Sequence, residues 1–410
     1  MRRAVFLLLL LFAVCVCSSI KAAGSAESDD KDMMIVAGYL PEYRFYADLE
    51  FLASRLTDLI LFSVAPDRDG NVQSFLSDEN IKAAQAARAA NSKLRLLVSV
   101  GGAGRSLHFQ AVAQDGAKRR RFVLNLLNFC RKHGFDGVDF DWEAPQDQNQ
   151  VSSYVRLLHE AHAKFGAALI VSVALHPGQS LGGAGFESVN RINLMTYDLS
   201  FGNRALKHHG DLGQTNRAIS MLIRAGAPKE KIVVGIPAYG RGGSEGRSAL
   251  DVRTYSELMD DMMVSSSPGG APEKRGDENL LSVLPPTFRT RDNYNGFYFD
   301  CQLSAQRKTA QSKYRGLGGV FIWEVGQDKL VSGVSLTEAV MLVANGTKKL
   351  TNSEMTWVDA EREKAGGGVK TAEHMGGVKE RVKRRRREKE ELKKARLQAG
   401  GSGGGGSGEL

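Results

Sequence analysis

Three carboxylates stand at alternate positions in the segment Asp136-Gly-Val-Asp-Phe-Asp-Trp-Glu143: Asp139, Asp141 and Glu143, with Val138, Phe140 and Trp142 interleaved. Side chains of an extended strand alternate between its two faces, so the acidic set shares one face and the apolar set the other. The apolar face calls for a covering layer, which leaves the acidic face to line an interior or its mouth. Three carboxylates crowded there cannot all ionise comfortably, so at least one proton is shared and one pKa rises. That is the setting in which a carboxylic acid serves as a general acid near neutral pH. A solvated acidic strand end would not place an apolar residue at every intervening position.

The elements around this segment say where its acidic face points. Between Met34 and Val343, short β-branched runs alternate with helix-length amphipathic stretches, the rhythm of a parallel sheet covered by helices. The expected strands are Met34–Tyr39, Asp58–Val64, Leu94–Val100, Gly137–Trp142, Leu169–Leu175, Arg191–Thr196, Ile232–Ala238 and Gly319–Trp323. Asp78–Ala90, Ala117–His133, Gln148–Phe165 and Gln214–Ala225 carry apolar positions near a 3.6-residue period. Eight strands close a (β/α)8 TIM barrel, an α/β fold whose active sites lie at the C-terminal strand ends. A doubly wound open sheet fits the same rhythm, but no GxGxxG follows a strand and no Walker loop occurs. A small, turn-rich insertion, about 242–298, interrupts the rhythm between strands seven and eight; it holds a Ser/Pro/Gly stretch (265–272) and an Asn295-Gly296 turn.

The chain has 410 residues, 42% hydrophobic and 25% charged, which excludes a collagen-like, wholly disordered or multi-span membrane protein. Its formal charge of +9 suggests an acidic partner until the charge is located. Residues 361–410 hold 14 Lys/Arg against 8 Asp/Glu, whereas residues 24–360 hold 38 of each sign. The body is therefore neutral, and nothing in it calls for nucleic acid. Residues 1–23 read as a signal peptide, with Arg2 and Arg3 ahead of an apolar run from Ala4 to Val16, so the protein is expected to be secreted; an uncleaved anchor is the alternative. Residues 351–410 form a basic, low-complexity tail, a solvated helix or disordered, suited at most to an anionic surface. Cys130 and Cys301 remain outside the leader; Cys130 sits in a helix-like run as a small hydrophobe, and a disulfide is the alternative. Asn345-Gly-Thr347 is an N-glycosylation sequon.

Asp136–Glu143 resembles in full the DGxDxDWE signature of glycoside hydrolase family 18, the chitinases and their relatives. Ser99-Val-Gly-Gly102 is similar to the family's SxGG on the third strand, Met195-Thr-Tyr197-Asp198 to its MxYD on the sixth, Gly235–Arg241 to its seventh-strand segment, and Gly316–Trp323 to its eighth-strand tryptophan motif. The motifs fall at strand ends in family order over roughly residues 34–345.

The resemblance implies a retaining, substrate-assisted glycosidase acting on β-1,4-linked N-acetylglucosamine, most simply a secreted endo-acting chitinase. Glu143 would be the acid and later the base. Asp141 would hold the substrate acetamido N–H, Asp139 would share a proton with Asp141, and Tyr197 would donate to the acetamido oxygen. Trp323 would be the platform under the cleaved sugar, with Tyr39, Gly102, Met195, Asp198, Tyr239 and Arg241 as substrate contacts. The expected partner is chitin or its oligosaccharides; no cofactor or metal motif is visible. Ala103 and Ala144 stand where many members carry aromatic residues, which removes sugar-stacking surface. Two other readings use the same residues: an endo-β-N-acetylglucosaminidase on N-glycans or peptidoglycan-like polymers, and a non-catalytic chitin-binding lectin.

Overall fold

A computed structural model of the protein describes residues 34–199, 208–243, 246–266 and 284–355. The expected leader (1–23), most of the basic tail (from 356) and the Ser/Pro/Gly stretch from 267 onward lie outside the described residues.

Eight parallel strands form the centre: β1 (Ile35–Pro41), β2 (Asp58–Pro66), β3 (Arg95–Gly101), β4 (Gly137–Asp141), β5 (Ile170–Leu175), β6 (Arg191–Leu194), β7 (Ile232–Pro237) and β8 (Gly319–Trp323). Each pairs with its neighbour, β8 pairs with β1, and β1 pairs with β2, so the sheet closes into a (β/α)8 barrel. Because both faces are covered, a strand such as β2 (DLILFSVAP) is buried throughout rather than alternating with solvent. All eight expected strands are present, with shifted ends. β4 stops at Asp141, one residue early, since beyond it the Glu143 N–H donates to Ser106 Oγ (3.0 Å) and no longer to a neighbouring strand.

The covering helices include α1 (Asp78–Ala90), α2 (Gly116–His133), α3 (Gln148–Phe165), α4 (Leu212–Arg224), α5 (Gln302–Arg315) and α6 (Leu336–Ala344). Ser77 and Asn80 cap α1 reciprocally, and α2 ends where Gly134 turns left-handed (φ 64°). Val138 and Phe140 of β4 pack outward into the strand–helix core, where Trp142 stacks on Phe109 at 5.4 Å. A second apolar cluster, with Tyr39, Ile60, Leu97, Val233 and Phe321, fills the barrel itself.

At the N-terminal end of the barrel, the buried carboxylate of Asp58 (β2) accepts from Arg95 (β3) at 2.8 and 2.9 Å and from Arg191 (β6) at 2.7 Å. Burial alone would raise its pKa; the hydrogen bond from Arg95 and the two arginine charges outweigh that and hold it below the usual range.

Between β7 and β8 the chain builds a four-stranded antiparallel sheet from residues 239–242, 252–254, 293–294 and 297–298, followed in part by the helix Tyr255–Ser266. Asn295 (φ 46°) and Gly296 (φ 77°) make its tight turn, as an Asn-Gly pair favours. Cys130 and Cys301 are both free and buried, and burial pushes the Cys130 thiol up to about 12. Among the described residues no helix is long and apolar enough to cross a membrane.

Candidate active site

The outward residues of β4 are locked by the helix layer, with Tyr154 of α3 donating to the Phe140 carbonyl at 3.1 Å. Its inward residues are thereby fixed at the barrel axis and mouth. Asp139 is fully buried and accepts from Tyr39 Oη (2.7 Å), Ser172 Oγ (2.6 Å) and Asn193 Nδ2 (3.0 Å). Burial raises its pKa while these donors oppose the rise. Asp141, one repeat higher, has a buried Oδ1 with no hydrogen-bond partner. Burial, followed by the charges of Glu143 and Asp139, lifts its pKa well above the ordinary carboxylate value.

Three donors occupy the Asp139 carboxylate, and no described hydrogen bond joins it to Asp141. Tyr39 is a support as much as a contact: it lines the cavity, but its hydroxyl is committed to Asp139.

Glu143 stands at the rim with its side chain about a quarter exposed. The loop after β3 holds this stretch of backbone: Gly102 N–H donates to the Asp141 carbonyl (2.7 Å), and Ser106 Oγ bridges that carbonyl (3.3 Å) and the Glu143 N–H (3.0 Å). Gly102 adopts φ +95°, and a Cβ there would lie 2.2 Å from the Phe62 ring. It therefore acts as a close-approach position behind Asp141, and the adjacent cavity wall is Ala103.

A cavity of about 290 Å³ opens above these carboxylates. It is lined by Tyr39, Ala103, Asp141, Glu143, Ala174, His176, Met195, Tyr197, Asp198, Tyr239, Arg241, Val252, Trp323 and Gln327. Trp323 packs edge-on against Tyr39 and Phe62, with ring centroids 5.5 and 5.1 Å apart. Tyr197 is buried, which raises its pKa far above the ordinary value and keeps the phenol a proton donor. Asp198 is left-handed (φ 55°), grips Arg241 through both oxygens (2.8 and 2.6 Å) and lies 3.1 Å from His209 Nδ1. Burial would raise its pKa, but His209 and Arg241 outweigh it and hold the carboxyl well below the usual range.

Of the eleven candidate residues, nine line one cavity, while Asp139 and Gly102 stand behind it. Sequence reasoning missed His176, whose Nε2 lies 3.6 Å from Glu143 Oε2, together with Gln327 in the wall and Ser172, Asn193 and Ser106 as supports. It also missed Glu324, buried beside Trp323 and paired with Arg44 at 3.0 Å. The signal for His176 was its position directly after the fifth strand, at the mouth where Glu143 stands after the fourth.

The family model for glycosyl hydrolases family 18 matches residues 35–328. Chitinase 1 of Aphanocladium album is 26% identical over 287 residues, covering 59% of this chain and 65% of that protein. Endochitinase 1 of Metarhizium robertsii is 27% identical over 280 residues, covering 59% and 63%. The chain thus spans just under two thirds of the length of these relatives. Among solved structures, a class V chitinase from Nicotiana tobaccum in complex with NAG4 aligns with a TM-score of 0.62 at 20% identity, covering 76% of this chain and 99% of that one. A chitinase-like agglutinin from Robinia pseudoacacia aligns at 0.59 with 23% identity, covering 75% and 99%. At these identities the structural likeness carries the fold.

Proposed function

Because the chain belongs to the glycosyl hydrolases of family 18, we propose that it is a glycosidase that cleaves β-1,4 bonds of N-acetylglucosamine polymers, a chitinase in the simplest case, by a retaining, substrate-assisted route. The observation that carries this reading is the convergence of three groups in one cavity: Glu143 at the rim, Asp141 with an unpartnered buried oxygen below it, and the protonated phenol of Tyr197.

In this reading Glu143 donates its proton to the glycosidic oxygen while the substrate's acetamido oxygen attacks the anomeric carbon from the opposite face. The sugar–oxygen bond breaks, and a cyclic oxazolinium ion forms. The lone Oδ1 of Asp141 is suited to accept the acetamido N–H, an acceptor left open at no cost in competing bonds. As positive charge develops on the ring, it favours ionised Asp141. Tyr197 donates to the acetamido oxygen and aligns it, and Glu143, now a carboxylate, takes a proton from the water that opens the intermediate. Trp323 provides an apolar face for the sugar at the cleavage point.

Glu143→Gln tests the assignment. It should lower kcat on chromogenic chitobiose and chitotriose glycosides by roughly 10²–10⁴-fold with oligosaccharide binding retained; full activity in the variant would overturn the acid role. The fold-level likeness to an agglutinin leaves a chitin-binding lectin as the second reading, which an inactive parent that still binds chitin would support. Parallel digests of colloidal chitin and a high-mannose glycopeptide separate chitinase from endo-β-N-acetylglucosaminidase. We further propose that the protein is secreted. Asn345 of the sequon is exposed, and its Oδ1 accepts the Thr347 N–H at 2.9 Å. Expression in a eukaryotic secretory host should give a secreted protein whose mass falls on deglycosylation; retention inside the cell would overturn this reading.

A further inference from the structure

β4 and β5 run in register, Asp139 opposite Ser172 and Phe140 opposite Val173. Continuing both chains by three residues from the last pair brings Glu143 opposite His176. The equivalence has a physical content: Asp139 and Ser172 are joined at 2.6 Å, and four residues higher His176 Nε2 faces Glu143 Oε2 at 3.6 Å. The backbone of His176 is fixed by a local turn, its N–H donating to Gln179 Oε1 (2.6 Å) and its carbonyl accepting from Gln179 N–H (3.1 Å). The ring itself is 45% exposed, so it is not held by core packing. A separation of 3.6 Å is closed by a small rotation of such a ring, and contacts of this kind tighten when substrate fills a site.

We propose that His176 is a positioning residue for Glu143: Nε2–H donates to Oε2, leaving Oε1 to carry the proton toward the leaving-group oxygen. The proposal rests on the glycosidase reading above and adds to it a residue from the neighbouring strand. Two neighbouring carboxylates are committed elsewhere: Asp198 to Arg241 and His209, and Asp139, behind the cavity, to Tyr39, Ser172 and Asn193. Among the described ion pairs, His176 is the basic partner of Glu143.

The test uses the dependence of rate on the leaving group. Chitotriose requires a protonated leaving oxygen, whereas 2,4-dinitrophenyl chitobioside expels a stable phenolate that needs no proton. His176→Ala should lower kcat on chitotriose roughly tenfold or more with KM changed by less than about threefold, and leave kcat/KM on the dinitrophenyl substrate, which reports the bond-breaking step alone, within about twofold. His176→Gln, which keeps an N–H donor, should recover most of the loss. Equal losses on both substrates, a change confined to KM, no loss on chitotriose, or no recovery by glutamine would overturn the proposal while the glycosidase reading stands. A parent protein that cleaves neither substrate would overturn both together.

Discussion

Glu324 follows Trp323 and lies in the wall between β8 and the loop after β1, its side chain 1% exposed. It accepts from Arg44 Nε at 3.0 Å and from the Gly326 N–H at 3.1 Å. Burial raises its pKa from 4.5 to about 7, against the opposing pull of Arg44 and the Gly326 N–H. Below pH 4.5 the carboxyl is protonated in both folded and unfolded chains, and burial carries no charge penalty. Between pH 4.5 and 7 the unfolded chain releases the proton and the folded chain keeps it, so stability falls as pH rises; above 7 the full penalty applies. The gap is worth about 3 kcal/mol. For a folded body of roughly 300 residues, whose unfolding entropy is about 0.6 kcal/mol per kelvin, this corresponds to about 5 °C in Tm. Glu324→Gln removes the titration. Melting both proteins at a fixed scan rate from pH 4 to 8 should show the variant's Tm rising relative to the parent by about 5 °C across this window, and level on either side. A Tm difference that does not change with pH would refute the reasoning.

Asp141→Asn should lower kcat by about 10²–10³-fold. Since its raised pKa penalises the folded state above the ordinary Asp range, melts at pH 4 and pH 8 should show the variant gaining stability over the parent at the higher pH only. Gly102→Ala drives a Cβ into the Phe62 ring at a left-handed backbone position, for an expected loss of about 1–3 kcal/mol by denaturant melt and reduced activity through the displaced Asp141 carbonyl. Arg241→Met removes both bonds to Asp198; kcat/KM should fall about tenfold or more, and the Asp198 pKa should rise in a carboxylate titration followed by NMR.

The barrel was legible because its strands are largely apolar, β-branched runs, and β4 was legible as a site because its carboxylates break such a run at every second position. Local signals also reached α1 and α3, whose ends coincide with the apolar period and its caps. Contacts that depend on closure were not legible. Asn193 reaches Asp139 from 54 residues away, and Arg44 reaches Glu324 from 280. Neither pair has a spacing that marks it: Asn193 of β6 reaches Asp139 of β4 past the intervening β5, and Arg44 reaches Glu324 over the seam where β8 meets β1. The same limit explains Tyr39: its motif placed it at the site, but only the register of β1 against the barrel interior shows the hydroxyl taken by Asp139. His176 was hidden because its partner is defined by inter-strand register and not by any short pattern.

The clamp of Asp58 on Arg95 and Arg191 lies at the end of the barrel away from Glu143 and joins strands from different sides of it. With apolar side chains filling the space above, the vessel is blind at its base. On the glycosidase reading proposed above, substrate and product would therefore share a single doorway, and a polymer would be laid across the rim, past the short side chain of Ala103, and not threaded through the barrel.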